Sequence, residues 1–297
     1  EFPSIDGGGL EAIERAADEL RPFVDAVNAT DNPAAHAHAS NTSIAIAMSQ
    51  FGLEPIMQVV CRDKNRIAMQ ADIVGASLFG VENIACLTGD DVTAGDEPEA
   101  RRVFDLDSTQ LIKVAAGLGE GHYLSGRAIK QPPTLFVGAV ENPFAPPLDY
   151  RVQRALKKAE AGARFLQLQI GYYPERLEAF VRGCVEVGVT RTTALLPTVV
   201  LTKSAKALSF MDDAVPGISI PVDVIASVAG AGDKEAIAEA SYQLTLDISR
   251  HALSLPGVSG IHLTDFRHDG SLERLVRDLG IGPAFDPVAT ASGTTSH

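Results

Sequence analysis

A short stretch in the first third of the sequence ends an apolar run in two carboxylates. Residues 83–91 read Asn-Ile-Ala-Cys-Leu-Thr-Gly-Asp-Asp, and Ile84 to Leu87 are apolar throughout, as in a parallel strand covered on both faces. Gly89 allows the backbone to turn sharply or to approach a ligand closely. The pattern predicts Asp90 at the carboxyl end of a strand, where it either serves an active site or caps the next helix.

Other candidates for chemistry also follow predicted strands. Most are carboxylates or amides, which suit general acid-base work and the paired donors and acceptors of a heterocycle. In chain order the candidates are Glu1, Thr30, Asp31, Gln58, Asp90, Glu141, Asn142, Gln169, Asp265 and Arg267. Because the carboxyl ends of barrel strands meet at one mouth, we expect these side chains to converge there.

One predicted helix is basic although the chain is acidic. Its cations are Arg151, Arg154, Lys157 and Lys158. Arg154 and Lys158 are four residues apart, so both heads project from one face and could hold the two phosphates of a dinucleotide cofactor. The alternative is an ordinary solvated face on which Lys157 pairs with Glu160. The sequence leaves both open, and the charged turn 62–66 has the same ambiguity.

Several other kinds of site are disfavoured. His36 and His38 are the nearest thing to a metal pair, but they lie in a polar, alanine-rich loop where solvated histidines are expected, so no metal is predicted. His262 is interpreted as a core-facing strand residue. The three cysteines are isolated, which argues against a disulfide framework or a zinc site. No Gly-x-Ser-x-Gly elbow, Gly-x-Gly-x-x-Gly fingerprint or P-loop is present.

The elements that must position the candidates alternate regularly. Strands are predicted at Glu1, 23–30, 55–61, 84–87, 134–142, 165–171, 193–201 and 260–266. Helices are predicted at 10–20, 40–51, 66–79, 107–117, 148–162, 175–187, 204–213 and 234–254. Strands recurring at about 25 to 35 residues are typical of a (β/α)8 barrel. We therefore predict an α/β fold, a single-domain (β/α)8 TIM barrel over residues 1–297, whose first strand begins upstream of residue 1 and whose residues 283–297 form a C-terminal tail.

Composition restricts the partners. The 297 residues carry a formal net charge of -13, which argues against nucleic-acid and anionic-membrane partners because both would be repelled. With 45% hydrophobic residues the chain can bury a sizeable core. No apolar run approaches the roughly 20 residues that span a bilayer, so a cytoplasmic location is predicted.

Five motifs in order resemble the methylenetetrahydrofolate reductase family. They are Cys61-Arg62-Asp63-Lys64-Asn65-Arg66, Cys86-Leu87-Thr88-Gly89-Asp90, Phe104-Asp105-Leu106-Asp107, Lys158-Ala159-Glu160-Ala161-Gly162-Ala163 and Gln167-Leu168-Gln169. The likeness covers nearly the whole chain and is strongest to the short bacterial form, which lacks a regulatory domain.

This resemblance implies a flavoprotein of one-carbon metabolism and methionine biosynthesis. Its members bind FAD, rather than FMN, noncovalently and interconvert 5,10-methylenetetrahydrofolate and 5-methyltetrahydrofolate by hydride transfer through flavin N5. Electrons would come from NAD(P)H or from a partner protein. The expected partners are the folate substrate and either further copies of the chain or the subunits of a redox complex.

Matching the motifs assigns roles to residues. Asp90 corresponds to the family aspartate beside flavin and pterin, and Glu1 to the general acid that helps to open the methylene bridge. Gln169 and Arg267 are assigned to the folate, with Arg267 reaching its glutamate tail. The cofactor-binding residues are predicted to be Thr30, Gln58, Thr88, Gly89, Asp90, Phe104, Asn142, Arg154, Lys157 and Lys158.

The chain departs from the family pattern at two of these positions. Gln58 stands where many members have histidine, and Thr88 where they have arginine before Gly-Asp, so two potential cations near the flavin are absent. The alternatives to the flavin-dependent reductase are a flavin-independent reductase and a folate-binding barrel without redox chemistry, such as a methyl-transfer or carrier module.

Overall fold

The computed structural model describes residue 2 and residues 5–7, 9–215 and 217–283. Glu1, the predicted catalytic acid and the site of the predicted first strand, lies outside these residues, as does residue 284 onward in the predicted tail. The assignments made to them stay predictions.

The described part of the chain alternates strands and helices. Its strands are β1 (Val27–Ala29), β2 (Pro55–Val60), β3 (Asn83–Leu87), β4 (Phe136–Glu141), β5 (Phe165–Leu168), β6 (Ala194–Leu201) and β7 (His262–Asp265). Its α-helices are α1 (Glu11–Leu20), α2 (Asn41–Gln50), α3 (Arg66–Ser77), α4 (Ser108–Gly119), α5 (Leu148–Glu160), α6 (Pro174–Glu186), α7 (Ala205–Ala214), α8 (Val222–Ala229), α9 (Lys234–Ser254) and α10 (Ser271–Leu279). None of these helices has both the length and the apolar character needed to cross a bilayer.

The chain divides into two compact units. Unit 1 comprises residues 1–139, 161–163 and 282–297, and unit 2 comprises residues 140–160 and 164–281. Whether the chain acts as one domain stays a prediction.

Unit 1 is built on parallel strands whose two faces are both apolar. β1 pairs with β2, β2 with β3 and β3 with β4, and the register places Met57 beside Ile84 and Ile84 beside Val137. Met57 and Ile84 are fully buried, as expected for strands covered on both sides. Helices α3 and α4 begin at side-chain caps, with Asn65 accepting from two backbone N–H groups at 3.0 Å and Asp107 forming a capping box. These caps fix the residues at which the loops after β2 and β3 end and helices α3 and α4 begin.

Unit 2 contains a second parallel set, in which β5 pairs with β6 and β6 with β7. Helix α9 carries buried hydroxyl groups at i, i+4 and i+8, and the first two bond to β6 and the residue that follows it. Ser241 donates to the Thr202 carbonyl oxygen at 2.8 Å and Thr245 to that of Val200 at 2.7 Å. Ser249 donates to the carbonyl oxygen of Thr245 at 2.7 Å, so the buried hydroxyls of this helix face have acceptors.

The predicted fold class is confirmed. Within each unit the described strands pair in parallel and in chain order, and the alternation of strands and helices is that of the (β/α)8 type. The strand predicted at 23–30 is shorter, because Phe23 donates its N–H to the Leu20 carbonyl oxygen at 2.9 Å and closes a turn. Helices α8 and α10 were not predicted. The α8 sequence is rich in valine and isoleucine, which favour strands, and α10 follows Gly270 at a φ of 84°.

Candidate active site

A buried guanidinium organises the strand ends of unit 1. Arg62 follows β2 and is 2% exposed. Its Nε and Nη2 donate to the carboxylate of Asp63, each at 2.7 Å. Nη2 also donates to the Asn32 carbonyl oxygen at 3.0 Å, and Nη1 to the Asp90 carbonyl oxygen at 3.4 Å. Because Asn32 follows β1 and Asp90 follows β3, one side chain joins three neighbouring strand ends.

The charge of Arg62 is balanced locally. Burial opposes ionisation of Asp63, but the hydrogen bonds from Arg62 and Asn32 outweigh it and hold the pKa of that carboxyl below its usual value. The guanidinium is therefore a paired buried charge, which can persist where an unpaired one could not.

The strand-end glycine lets the chain pass close to Arg62. Gly89 has a φ of 92°, and a Cβ built on it would lie 2.4 Å from Val60 Cγ1 and 3.2 Å from Arg62 Cβ. Both the dihedral angle and the contact require glycine. The structure therefore accounts for Gly89 by backbone packing, and its predicted contact with a cofactor stays a prediction.

Asp90 is exposed, and its carboxylate makes no hydrogen bond to any residue that the structure describes. The helix-cap alternative belongs to the next residue instead, because Asp91 Oδ1 accepts from the Thr93 N–H at 3.0 Å and Asp91 also pairs with Arg102. The backbone of Asp90 is held by Arg62 while its carboxylate is left available to a ligand.

Asp31, another candidate acid of unit 1, is bound by neighbouring protein groups. Asp31 is 4% exposed, accepts from the Val60 N–H at 3.0 Å and lies 3.4 Å from Lys64 Nζ. Lys64 also contacts Asn41 Oδ1 at 3.1 Å. Burial raises the pKa of Asp31, with Lys64 opposing the shift. Asp31 thus fastens the end of β1 to β2.

Phe104 is held in a strained conformation. Its φ is 38°, and the side chain is part-exposed. The N–H of Val103 donates to the Arg62 carbonyl oxygen at 2.9 Å, and Asp105 makes a two-pronged pair with Arg66 at 2.8 Å. Strain of this kind costs about 1–3 kcal/mol and persists only where the surroundings impose it. Arg62 and Arg66 supply those surroundings from the two sides of Phe104.

Three further predicted cofactor residues lie in unit 1. Gln58 is 7% exposed, and its side-chain amide has no hydrogen-bond partner within the described ranges. Thr88 accepts through Oγ1 from the Ser108 N–H at 3.3 Å, which places it at the start of α4. Thr30 is half-buried directly after β1. Of the three, Gln58 has side-chain donors and acceptors that are free for a ligand to satisfy.

In unit 2, one buried carboxylate gathers three cations. Glu141 ends β4 with its side chain 1% exposed, and Lys158 Nζ lies 2.6 Å from its Oε2. Arg154 Nε lies 3.5 Å from Oε2, and an Nη of Arg151 lies 3.6 Å from Oε1. Lys158 also donates to the Val140 carbonyl oxygen at 2.6 Å. Burial lowers the pKa of Lys158, and the pairing with Glu141 opposes this. The cluster has more cationic than anionic groups.

The predicted phosphate-binding cations differ in accessibility. Arg154 and Lys158 do project from one face of α5, and both reach Glu141. The side chain of Lys158 is 3% exposed, whereas that of Arg154 is 41% exposed. Lys157 is exposed and donates to Tyr150 Oη at 3.2 Å rather than forming the Glu160 pair that was the alternative. Arg154 is therefore the accessible member of the Glu141 cluster.

Asn142 and Gln169 lie near one loop of unit 2. Asn142 Nδ2 donates to the Gly217 carbonyl oxygen at 3.0 Å. A Cβ on Gly217 would lie 2.9 Å from Asn142 Nδ2 and 3.9 Å from Gln169 Nε2. Gln169 itself accepts through Oε1 from the Ile170 N–H at 2.9 Å, which leaves its Nε2 without a hydrogen bond inside the described segments.

Arg267, the predicted contact for the glutamate tail, is 8% exposed. Its Nη1 donates to the carbonyl oxygens of Thr202 at 3.1 Å and Ala238 at 2.8 Å, and its Nε lies 3.4 Å from the Asp269 carboxylate. Asp265 accepts from the Arg267 N–H at 2.7 Å. These contacts join β6, α9 and the loop after β7, so the geometry favours a structural role.

The histidines have separate surroundings. His36 Nδ1 lies 3.0 Å from the Ala34 carbonyl oxygen, and His38 Nδ1 lies 2.6 Å from Asp6. Thr198 and His262 hydrogen-bond at 2.9 Å, and burial lowers the pKa of His262 to about 3. Among the described residues no three His, Cys, Asp or Glu side chains are grouped to hold a metal ion.

A groove of about 660 Å³ lies on unit 1, between α3 and residues 123–127. None of the predicted site residues lines it. The candidate site is therefore defined by the strand-end residues and not by this groove. Sequence reasoning missed Arg62 as its organiser, although an Arg-Asp pair directly after a strand that is apolar apart from Gln58 was the available signal.

Comparison with known proteins identifies the family. The family model described as methylenetetrahydrofolate reductase matches residues 9–280. The chain belongs to this family. The resemblance inferred from the five motifs is thereby confirmed.

A curated member of the methylenetetrahydrofolate reductase family is similar to the chain over most of its length. The "Probable methylenetetrahydrofolate reductase (NADPH)" of Caenorhabditis elegans is 24% identical over 279 residues, which are 92% of this chain and 40% of the relative. The chain thus spans about two fifths of the length of that curated relative.

Solved structures show the same fold at low identity. An uncharacterized protein from Clostridium thermocellum that binds two copies of 5-methyl-5,6,7,8-tetrahydrofolic acid has a TM-score of 0.63 and 14% identity, covering 93% of this chain and 90% of its own. A long-chain alkane monooxygenase has a TM-score of 0.56 and 11% identity, covering 97% and 89%. At these identities the likeness concerns the fold alone.

Proposed function

We propose that this chain is a methylenetetrahydrofolate reductase that interconverts 5,10-methylenetetrahydrofolate and 5-methyltetrahydrofolate with FAD as a noncovalent cofactor. The observation that carries the proposal is Asp90 in a chain of this family. Its carboxylate is exposed, it follows the end of the parallel strand β3, and its backbone is held by a buried arginine. The folate bound by the Clostridium thermocellum structure supports a folate as the substrate.

The chemistry of the available donors suits a flavin dinucleotide. Gln58 is 7% exposed, and its side-chain amide has no hydrogen-bond partner in the described part of the chain, which suits the donors and acceptors of a heterocycle. Arg154 carries a partly exposed guanidinium in a cluster with excess positive charge, which suits a diphosphate. Asn142, Lys157, Lys158, Thr30, Thr88, Gly89 and Phe104 stay predicted contacts. When bound, FAD supplies the hydride-transfer chemistry.

The protein residues supply position and charge. The Asp90 carboxylate stabilises positive charge that develops on the pterin as the methylene bridge opens. Gln169 binds the folate through its unbonded Nε2. Glu1 remains the predicted donor of the proton that opens the bridge, and Arg267 the predicted contact of the glutamate tail. Electrons come from NAD(P)H or from a partner protein. The cytoplasmic location and the assembly, as a homo-oligomer or as a subunit of a redox complex, are also predictions.

The test is the visible absorption spectrum of the purified protein before and after added FAD, followed by anaerobic addition of 5-methyltetrahydrofolate. We expect a flavin spectrum that bleaches, because 5-methyltetrahydrofolate transfers a hydride to the flavin and reduces it. A protein that takes up no FAD would overturn the flavin proposal. If such a protein still reduced methylenetetrahydrofolate, it would be a flavin-independent reductase, and if it bound folate without turnover it would be a carrier module.

A further inference from the structure

We infer that Arg62 is the positioning residue of this active site: its guanidinium sets the backbones of Asp90 and Asn32, and its main-chain carbonyl holds Val103 beside Phe104. The inference rests on the proposed function. Arg62 is not among the residues assigned to flavin or folate, and it is 2% exposed.

The first support is the way in which Asp90 is held. Its carboxylate accepts no hydrogen bond from the described residues, and its interaction with the charge of Arg62 is electrostatic only. The backbone carbonyl, by contrast, accepts from Arg62 Nη1 at 3.4 Å. Gly89 brings that carbonyl close, since a side chain at 89 would overlap Val60 and crowd Arg62 Cβ. The direction in which Asp90 points is therefore set through its main chain.

The second support is that the contacts of Arg62 extend to other predicted ligand contacts. Its own carbonyl oxygen accepts from the Val103 N–H at 2.9 Å, directly before the strained Phe104. Its Nη2 donates to the carbonyl oxygen of Asn32, two residues after Thr30. Three segments that carry predicted contacts thus meet at one residue: residues 30–32 and 88–90 contact the side chain of Arg62, and residues 102–104 contact its main-chain carbonyl.

The third support is that the task needs a guanidinium. Arg62 uses all three of its nitrogens at once, on Asp63, Asn32 and Asp90, in a planar fork. A lysine at this position could keep the ion pair with Asp63 but has a single nitrogen with which to reach three acceptors in different directions. Arg62→Lys therefore keeps the charge and removes the positioning.

The experiment compares the FAD-reconstituted wild-type chain with Arg62→Lys and with the double variant Arg62→Met/Asp63→Asn. The double variant removes both charges, so neither is left buried without a partner if Arg62→Lys folds poorly. Arg127→Lys is the matched control, since this exposed arginine of unit 1 stacks on Tyr123 at 3.9 Å and lies outside the site. The readouts are amide hydrogen exchange, and kcat and KM for oxidation of 5-methyltetrahydrofolate with a quinone acceptor, per bound flavin.

We expect exchange in residues 30–36 and 88–91 to accelerate together, by about tenfold or more, in both Arg62 variants and not in Arg127→Lys. Exchange in residues 102–105 should change less, because Val103 bonds to the main-chain carbonyl of residue 62, which every variant keeps. We expect kcat to fall by about tenfold or more while KM changes less than about threefold, because placement and not binding is lost. Faster exchange with unchanged kcat would make Arg62 merely structural and overturn the inference. Unchanged exchange in 88–91 would overturn it as well. If the wild-type protein turned over no folate, the proposed function would fail, and the exchange data would still decide whether the side chain of Arg62 couples residues 30–36 to residues 88–91.

Discussion

Lys158 Nζ and Glu141 Oε2 are 2.6 Å apart, and the two side chains are 3% and 1% exposed. The pair joins α5 to the end of β4 in a place that solvent does not reach. Glu141 also offsets Arg151 and Arg154, so this carboxylate is the acceptor on which three cations depend.

Glu141→Gln should therefore lower the free energy of unfolding by about 3–5 kcal/mol, because it leaves Lys158 buried without a counter-charge. The double variant Glu141→Gln/Lys158→Met should lose less, since both charges are then removed. Urea denaturation of both measures this. Glu178→Gln, which breaks an exposed pair with Arg182, is the control and should change stability by less than about 1 kcal/mol. A double variant as unstable as the single one would contradict the interpretation.

Asp90→Asn should lower kcat by about 10²–10³ while FAD affinity changes little, because a charge is lost from an exposed site whose packing stays intact. Stopped-flow flavin reduction by 5-methyltetrahydrofolate and a flavin titration separate the two quantities. Asp91→Asn is the neighbouring control, since Asp91 caps a turn and pairs with Arg102, and its effect on kcat should be much smaller. Equal effects of the two substitutions would remove the special role of Asp90.

Gly89→Ala should destabilise the protein by about 2–4 kcal/mol, because alanine must take a positive φ and its Cβ overlaps Val60. Gly75→Ala is the matched control, since Gly75 lies within α3 and a Cβ there meets no atom within 4 Å. That variant should stabilise by about 0.5–1 kcal/mol through helix propensity. Thermal unfolding of both variants tests the contrast, and a tolerated alanine at 89 would show that the backbone can move away from Arg62.

Stability should also fall on mild acidification because of His262. Burial lowers the pKa of this imidazole from 6.5 to about 3, so the unfolded chain binds the proton more readily than the folded one. The contribution is present above pH 6.5 and is lost as the pH falls from there toward about 3, at up to about 1.4 kcal/mol per pH unit. Urea midpoints measured between pH 7 and 4 should decline less steeply in His262→Gln, which keeps an acceptor for Thr198. Parallel profiles would assign the acid loss to other groups.

Much of the fold and part of the site could be predicted from the sequence. The short apolar run before Gly89 predicted a parallel strand covered on both faces, because such a strand buries its side chains on both sides. The structure has β3 there, and Asp90 follows it as expected. Roles that depend on tertiary contacts between different loops and helices could not be predicted in this way. The sequence left open whether the turn of Arg62 and the helix face of Lys158 bind phosphates or are solvated. Their observed acceptors come from other elements, namely Asp90 for Arg62 and Glu141 for Lys158. Arg267 likewise has acceptors at the end of β6 and on α9, which are distant in the sequence and cannot be predicted from a local pattern.

The three-way hydrogen bonding of Arg62 bears on how such a chain can be redesigned. Loops of barrel proteins are often exchanged one at a time, on the assumption that each is an independent module. Here a graft that replaced only the loop after β1 or only the loop after β3 would remove a hydrogen-bond acceptor of Arg62. Because the guanidinium is buried, water could not replace that acceptor. Successful chimaeras, and natural variants that alter these loops, should therefore exchange them as a set together with residue 62.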